Sequence, residues 1–205
     1  MKKYKVFVDI GKEEKYLNKM SENGYEFKKY SQFGFYTFEK GLPKSRNYKI
    51  DYRQFKNKAE LSNYIALFED SGWKHVYGKR YNGSQYFLPK SKDAKDIFSD
   101  NESRATLYKR LYEQCAMAVI MGLLYFIIVL ISVNFNISNL LFLTPGLWEK
   151  TGVEFRRAFW FEAPFVILRI IPIIYLFGFT VIYAIWGTKA KKIYKEKLQI
   201  IEMKE

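Results

Sequence analysis

Few side chains in this sequence could do chemistry. There is one histidine, His75, and one cysteine, Cys115, so a zinc or haem site and an intramolecular disulfide are both disfavoured. His75 follows a helix terminator in WKHVYG with no second ligand near it, and reads as a sheet or surface histidine. Cys115 opens an apolar stretch, where an inert buried thiol is the plainer reading and acylation the sharper one. Paired carboxylates for acid and base work would need a cleft and a perturbed pKa, and the sequence signals neither. The expectation is therefore a protein that is not an enzyme and takes no cofactor or metal.

Two other groups of residues stand out. Acidic residues interleave with aromatics at Tyr36, Phe38, Glu39, Asp51, Tyr52 and Tyr86. That combination suits a cationic or amphipathic molecule through carboxylate and ring contacts, although solvated sheet-edge charges explain it equally well. Alternation puts Phe33, Phe35 and Thr37 on one face of a strand and Gly34, Tyr36 and Phe38 on the other, so neither face is polar. One face must meet helices, and the other is expected to stay open as a surface for a ligand, a protein partner or another copy. Arg169 is the second oddity, because a charge inside an apolar stretch costs about 2.5 to 3.5 kcal/mol at the centre of a bilayer. Either it snorkels to the interface with Glu162 two turns earlier as partner, or it faces a helix partner or polar ligand beside Pro172.

The elements that hold these residues fall into two unlike halves. The chain has 205 residues and a formal net charge of +13, yet only seven charged residues lie between 114 and 188. Residues 115–135 are free of charge and long enough for a hydrocarbon core of about 30 Å. Residues 163–186 form a second span, with Trp160, Tyr183 and Trp186 near its ends as interfacial aromatics. Arg104, Lys109 and Arg110 precede the first span, and Lys189, Lys191, Lys192, Lys195 and Lys197 follow the second. Against them the connecting loop carries Lys150, Arg156 and Arg157, which places both termini in the cytoplasm of a multi-pass protein of the cell membrane. The loop, residues 136–162, carries LLFLTPGLW and FRRAFWF and is expected to lie against the outer surface. Residues 99–114 read as a juxtamembrane linker or helix, and residues 187–205 as a basic tail. Its lysines Lys189, Lys191, Lys192 and Lys195 are expected at the inner leaflet, each worth about 1 kcal/mol on anionic lipid. The bilayer is thus the nearer anionic partner, and nucleic acid is disfavoured.

Residues 1–98 repeat the unit strand, helix, strand, strand. Strands are expected at 3–9, 25–30 and 33–40 with a helix at 12–23, then strands at 48–53, 73–80 and 85–88 with a helix at 58–71. LNKMSENGY (17–25) aligns with IALFEDSGW (65–73): an aliphatic, a large apolar residue three on, a glycine four later, then an aromatic. The glycine is a left-handed C-cap and the aromatic opens the next strand. The expectation is an α+β fold, a duplicated antiparallel sheet with two helices on one face, followed by a two-helix transmembrane hairpin.

The segments LNKMSENGYEF, YTFEKG, YKIDYR, YIALFEDSGW and QYF, followed by two spans, resemble the bacterial family known as domain of unknown function 2812. That resemblance implies a regulatory or accessory membrane role, because members often lie beside genes for PadR-type regulators. It offers no catalytic residues to carry over. In outline the repeated unit is also similar to GyrI-like drug-binding domains, which is a likeness of topology only. The leading expectation is a non-enzymatic accessory protein whose cytoplasmic domain binds a protein partner: a PadR-type regulator, another membrane protein or a second copy. The alternative is a membrane-anchored sensor that takes an amphipathic or cationic small molecule on the aromatic sheet.

Overall fold

The first helix begins where a side chain replaces its missing backbone acceptors. In the computed structural model, which describes residues 1–31, 34–81, 83–91, 97–98, 101–136 and 141–203, Asp9 caps α1 (Ile10–Glu22) by accepting from the Gly11 and Lys12 amides. This cap cuts the preceding strand to β1 (Lys2–Tyr4), shorter than the 3–9 expected, and starts the helix two residues early. Asn57 caps α2 (Lys58–Asp70) in the same way through the Glu60 amide. Both helices end at glycines in the left-handed region, Gly24 at φ 78° and Gly72 at φ 85°, as the repeated GY and GW pairs led one to expect.

The strands β2 (Tyr25–Tyr30), β3 (Phe35–Lys40), β4 (Lys49–Tyr52), β5 (Trp73–Gly78) and β6 (Ser84–Pro89) complete two antiparallel three-stranded sheets. Their orders correspond, β1-β3-β2 and β4-β6-β5, so the second half repeats the pairing of the first. In place of one continuous ladder there are two sheets, each with a bulge in one pairing, at Phe27/Lys29 where β2 meets β3 and at His75/Tyr77 where β5 meets β6. The fold is α+β, followed by two long apolar helices.

Burial explains why the strands lack a polar face. In β6, Tyr86 points into a core with Ile10, Leu17, Phe27, Tyr36, Phe38, Tyr48, Ile50, Leu107 and Tyr108, while its neighbour Phe87 points into a second core with Phe55, Tyr64 and Trp73. The sheet β4-β6-β5 is therefore covered on both sides. The open aromatic face expected from the alternation is not there: Tyr36, Phe38 and Tyr86 are each at most 1% exposed. Counting two covering helices missed further cover from the long apolar helices, whose ends contribute Leu107, Tyr108, Ile193 and Tyr194. On the outer side of β3 only Phe35 remains, beside Tyr4 at 5.2 Å. Phe33 lies outside the described residues.

The free edge of β4 is closed by side chains. The amides of Tyr48, just before the strand, and of Ile50 donate to Asn18 Oδ1 and Glu14 Oε1 of α1, and the Tyr52 carbonyl accepts from Arg110 Nε.

The chain divides into two compact units, Met1–Tyr112 with Thr188–Glu205, and Glu113–Gly187. In the second, α3 (Asn101–Ser132) and α4 (Gly152–Glu202) contribute a hairpin of two helices long and apolar enough to cross a membrane. Residues 99–114 were expected as a linker or helix; from Asn101 on they are the start of α3 itself. A side chain on Gly122 would collide with Thr180, and Phe126 meets Phe177 with ring centroids 5.9 Å apart. This register puts Ser132, the end of α3, level with Ile170. The segment from Gly152 to Arg169 therefore runs beyond α3 by about 27 Å at 1.5 Å per residue. The connecting segment folds back on it: Phe142 stacks on Phe159, and Trp148 meets Phe142 and Phe155.

Candidate functional site

Two adjacent carboxylates on α1 organise the first unit. Glu13 lies one turn from Ile10 and from Leu17, so it belongs to the buried stripe of the helix, and Glu14 is turned by a further 100°. The Glu13 Oε1 atom accepts from Tyr36 Oη of β3 and from Tyr86 Oη of β6, both at 2.7 Å. Those phenols are its hydrogen-bond partners among the described residues, and no basic side chain pairs with it there. Burial pushes its carboxyl up to about 7, opposed by the two phenols and reinforced by the charge of Glu14. Tyr36 and Tyr86 are themselves pushed well up, by burial and then by Glu13, so they stay protonated donors.

Aromatic rings enclose this carboxyl. Tyr36 packs against Tyr30 at 4.7 Å and Tyr16 at 5.7 Å, and Tyr86 against Phe27 at 4.7 Å. At the rim the Lys5 ammonium sits 4.4 Å from the Tyr16 ring centre and 5.3 Å from that of Phe7. A cation on these rings is thus already a feature of the fold.

Glu14 serves a different end. Besides the Ile50 amide it accepts from Arg104 of α3 at 2.9 Å. Further bonds join α3 to the domain: Tyr108 donates to Asp9 at 3.1 Å, and Arg110 donates to Asp51 at 2.6 Å and to the Tyr52 carbonyl. Asp51 also accepts from Tyr64 of α2, so one buried carboxylate ties β4, α2 and α3 together. The α4 end adds Lys191 over Tyr112 and Lys197 over Tyr108. Three acids near one end of the domain therefore hold the first turns of α3 through charge-assisted or phenolic bonds.

The residues singled out in the sequence separate accordingly. Tyr36 and Tyr86 come together at Glu13, with Phe38 behind Tyr36. Asp51 and Tyr52 belong to the α3 clamp, through the carboxylate of one and the carbonyl of the other. Glu39 stands apart as a solvated sheet charge paired with Lys28 at 3.1 Å. Lys189, Lys191, Lys192 and Lys195 lie exposed on α4, with Lys192 near Glu196. Arg169 does pair with Glu162, at 3.3 Å, and donates to the Leu141 carbonyl. Glu162 also accepts from the Leu143 and Thr144 amides, so this pair pins the folded-back loop at the level where α3 ends. His75 is a sheet histidine within 3.1 Å of Gln85, its proton affinity lowered by burial. A surface depression of about 400 Å³ beside Leu42 and Lys44 holds Glu26 and Arg46, which already neutralise each other at 2.7 Å.

The sequence reading missed Glu13, Glu14 and Tyr108, and took Arg104 and Arg110 as orientation charges without their bonds to the domain. A usable signal existed: with Ile10 included in α1, Glu13 falls on one helical face between Ile10 and Leu17, and a glutamate between two apolar residues of a stripe marks a buried acid.

Fold and site together define a class: an α+β domain built round a buried acid and bonded to the start of a helix long and apolar enough to cross a membrane. The chain belongs to the family described as Protein of unknown function (DUF2812), whose model matches residues 9–120, from the cap of α1 through the clamp. No curated protein and no solved structure matches it.

Proposed function

We propose that this protein is a non-enzymatic, membrane-anchored regulatory sensor. Its α+β domain takes up a cationic amphipathic molecule at the aromatic cluster round Glu13 and passes occupancy to the first span through the α3 clamp. Glu13 carries the reading. A buried carboxyl that faces rings and phenols, with no basic partner among the described residues, is an expensive choice for a core position that a leucine could fill. It suits a ligand that supplies the missing positive charge together with apolar surface. The distribution of lysine and arginine supports two spans with both termini cytoplasmic.

The test is thermal unfolding of the full chain in zwitterionic lipid nanodiscs with benzyltriethylammonium and with an uncharged analogue of the same shape. The cation should stabilise the protein, by about 2.7 kcal/mol at a hundred times Kd. Glu13→Gln should lose most of that gain. Equal stabilisation by the uncharged compound, or none by either, would overturn the reading.

A protein partner at the domain surface is the second reading, and its footing is the exposed pair Tyr4 and Phe35, at 67% and 44%. Co-purification from detergent that depends on these two rings would favour it.

A further inference from the structure

Glu13 and Glu14 are consecutive, yet one faces the ring cluster and the other faces α3. We propose that a proton and the cationic ligand compete for the Glu13 carboxylate, and that the winner is felt by the first long helix through the Glu14–Arg104 bond. This deepens the sensor reading and rests on it.

The competition follows from the charges and rings packed around Glu13. Facing it are Tyr36 from β3, Tyr86 from β6 and Glu14 from α1, with Tyr16 of α1 and Tyr30 of β2 in the surrounding rings. Tyr36 and Tyr86 are held in the neutral form and the Lys5 ammonium lies on the Tyr16 ring at the rim, so the charge that changes within the cluster is that of Glu13. When ionised, Glu13 adds one negative charge next to Glu14. A proton cancels it, and so does a bound monocation. Uptake from the protonated state is therefore an exchange: the O–H bond of Glu13 breaks, the proton leaves to solvent, and the carboxylate keeps the electron pair and faces the cation. No other reactant is needed.

The relay follows from the neighbouring bond. Glu14 lies 2.9 Å from Arg104, while Glu14 repels a charge on Glu13. Cancelling the Glu13 charge relieves that repulsion and changes the field at the Arg104 guanidinium, which sits on the first turn of α3. Burial of Glu13 places its proton exchange near neutral pH, where the competition is decisive.

Calorimetric titration of the full chain in zwitterionic nanodiscs with benzyltriethylammonium, whose charge does not vary with pH, tests both parts. The apparent Kd should be flat above about pH 7 and rise roughly tenfold per pH unit below it, with one proton released per cation bound at low pH. Buffers of different ionisation enthalpy count that proton. Glu14→Gln should move the bend to lower pH, because a repelling charge is gone. Arg104→Gln should move it to higher pH, because Glu14 is left uncompensated. Binding with a pH-independent Kd overturns the competition while leaving the sensor reading intact. A bend that neither variant moves overturns the relay. No binding at any pH overturns the sensor reading itself.

Discussion

Glu13 shows what a single buried acid does to the stability of its domain. Burial pushes its carboxyl up to about 7, from an ordinary value of about 4.5. The folded state therefore holds this proton more tightly than the unfolded chain. The stabilising contribution is fully present below about pH 4.5 and is lost as the pH rises through 7, a change on the order of 3 kcal/mol. In Glu13→Gln that slope should vanish, so wild type should lose stability relative to the variant between pH 4.5 and pH 8.5. Thermal unfolding at both pH values checks it, and parallel behaviour of the two proteins would refute it. The other buried acids differ, since Glu14 and Asp51 each have an arginine within 3 Å. At this scale the sequence reading identified residue types better than surroundings. Tyr36, Phe38, Asp51 and Tyr86 were singled out as a surface, whereas all four are interior. Alternation fixes which residues share a face of a strand; what covers that face is a tertiary fact.

Among elements, the legible signals were those with a local cause. Gly24 and Gly72 stop α1 and α2, and an alanine at either must adopt positive φ, which costs about 1 to 2 kcal/mol. The two sites differ in space. A side chain at Gly72 meets nothing within 4 Å, whereas one at Gly24 would approach the Gly41 carbonyl to 2.9 Å. Gly24→Ala should thus cost clearly more than Gly72→Ala in denaturant unfolding, and equal costs would show that strain alone matters. Element starts were less legible. The Asp9 cap comes from a residue that equally suited the end of a strand, so β1 was drawn too long. The start of α3 hid for a different reason. Residues 101–112 are charged and aromatic because one side bonds to the domain, and in sequence that mixture reads equally as a linker or a helix.

Across the whole molecule, the clamp decides whether the first turns of α3 behave as part of the domain. Arg110 is its strongest member, with a guanidinium bonded to both the Asp51 carboxylate and the Tyr52 carbonyl. Arg110→Met would leave the Asp51 charge buried with one phenol for company. Because Arg110 is itself about one third exposed, the loss should fall below the figure for fully buried pairs, near 2 kcal/mol. Glu39→Gln, which breaks an exposed pair, should stay within about 0.5 kcal/mol. Thermal unfolding of the two variants side by side measures the contrast.

The closure of β4 reaches beyond one chain. Proteins confined to a bilayer meet at high local concentration and in fixed orientation, conditions that favour strand-to-strand association wherever a sheet edge is bare. Here the edge amides and carbonyl of β4 are occupied by Asn18, Glu14 and Arg110, and in the other sheet the edge strand β1 is three residues long with two lysines. Copies brought close by such confinement would meet an occupied edge at β4 instead of a bare one. Two of the three seals, Glu14 and Arg110, are also bonds of the clamp. A copy that lets go of α3 also loosens its own protection against self-association.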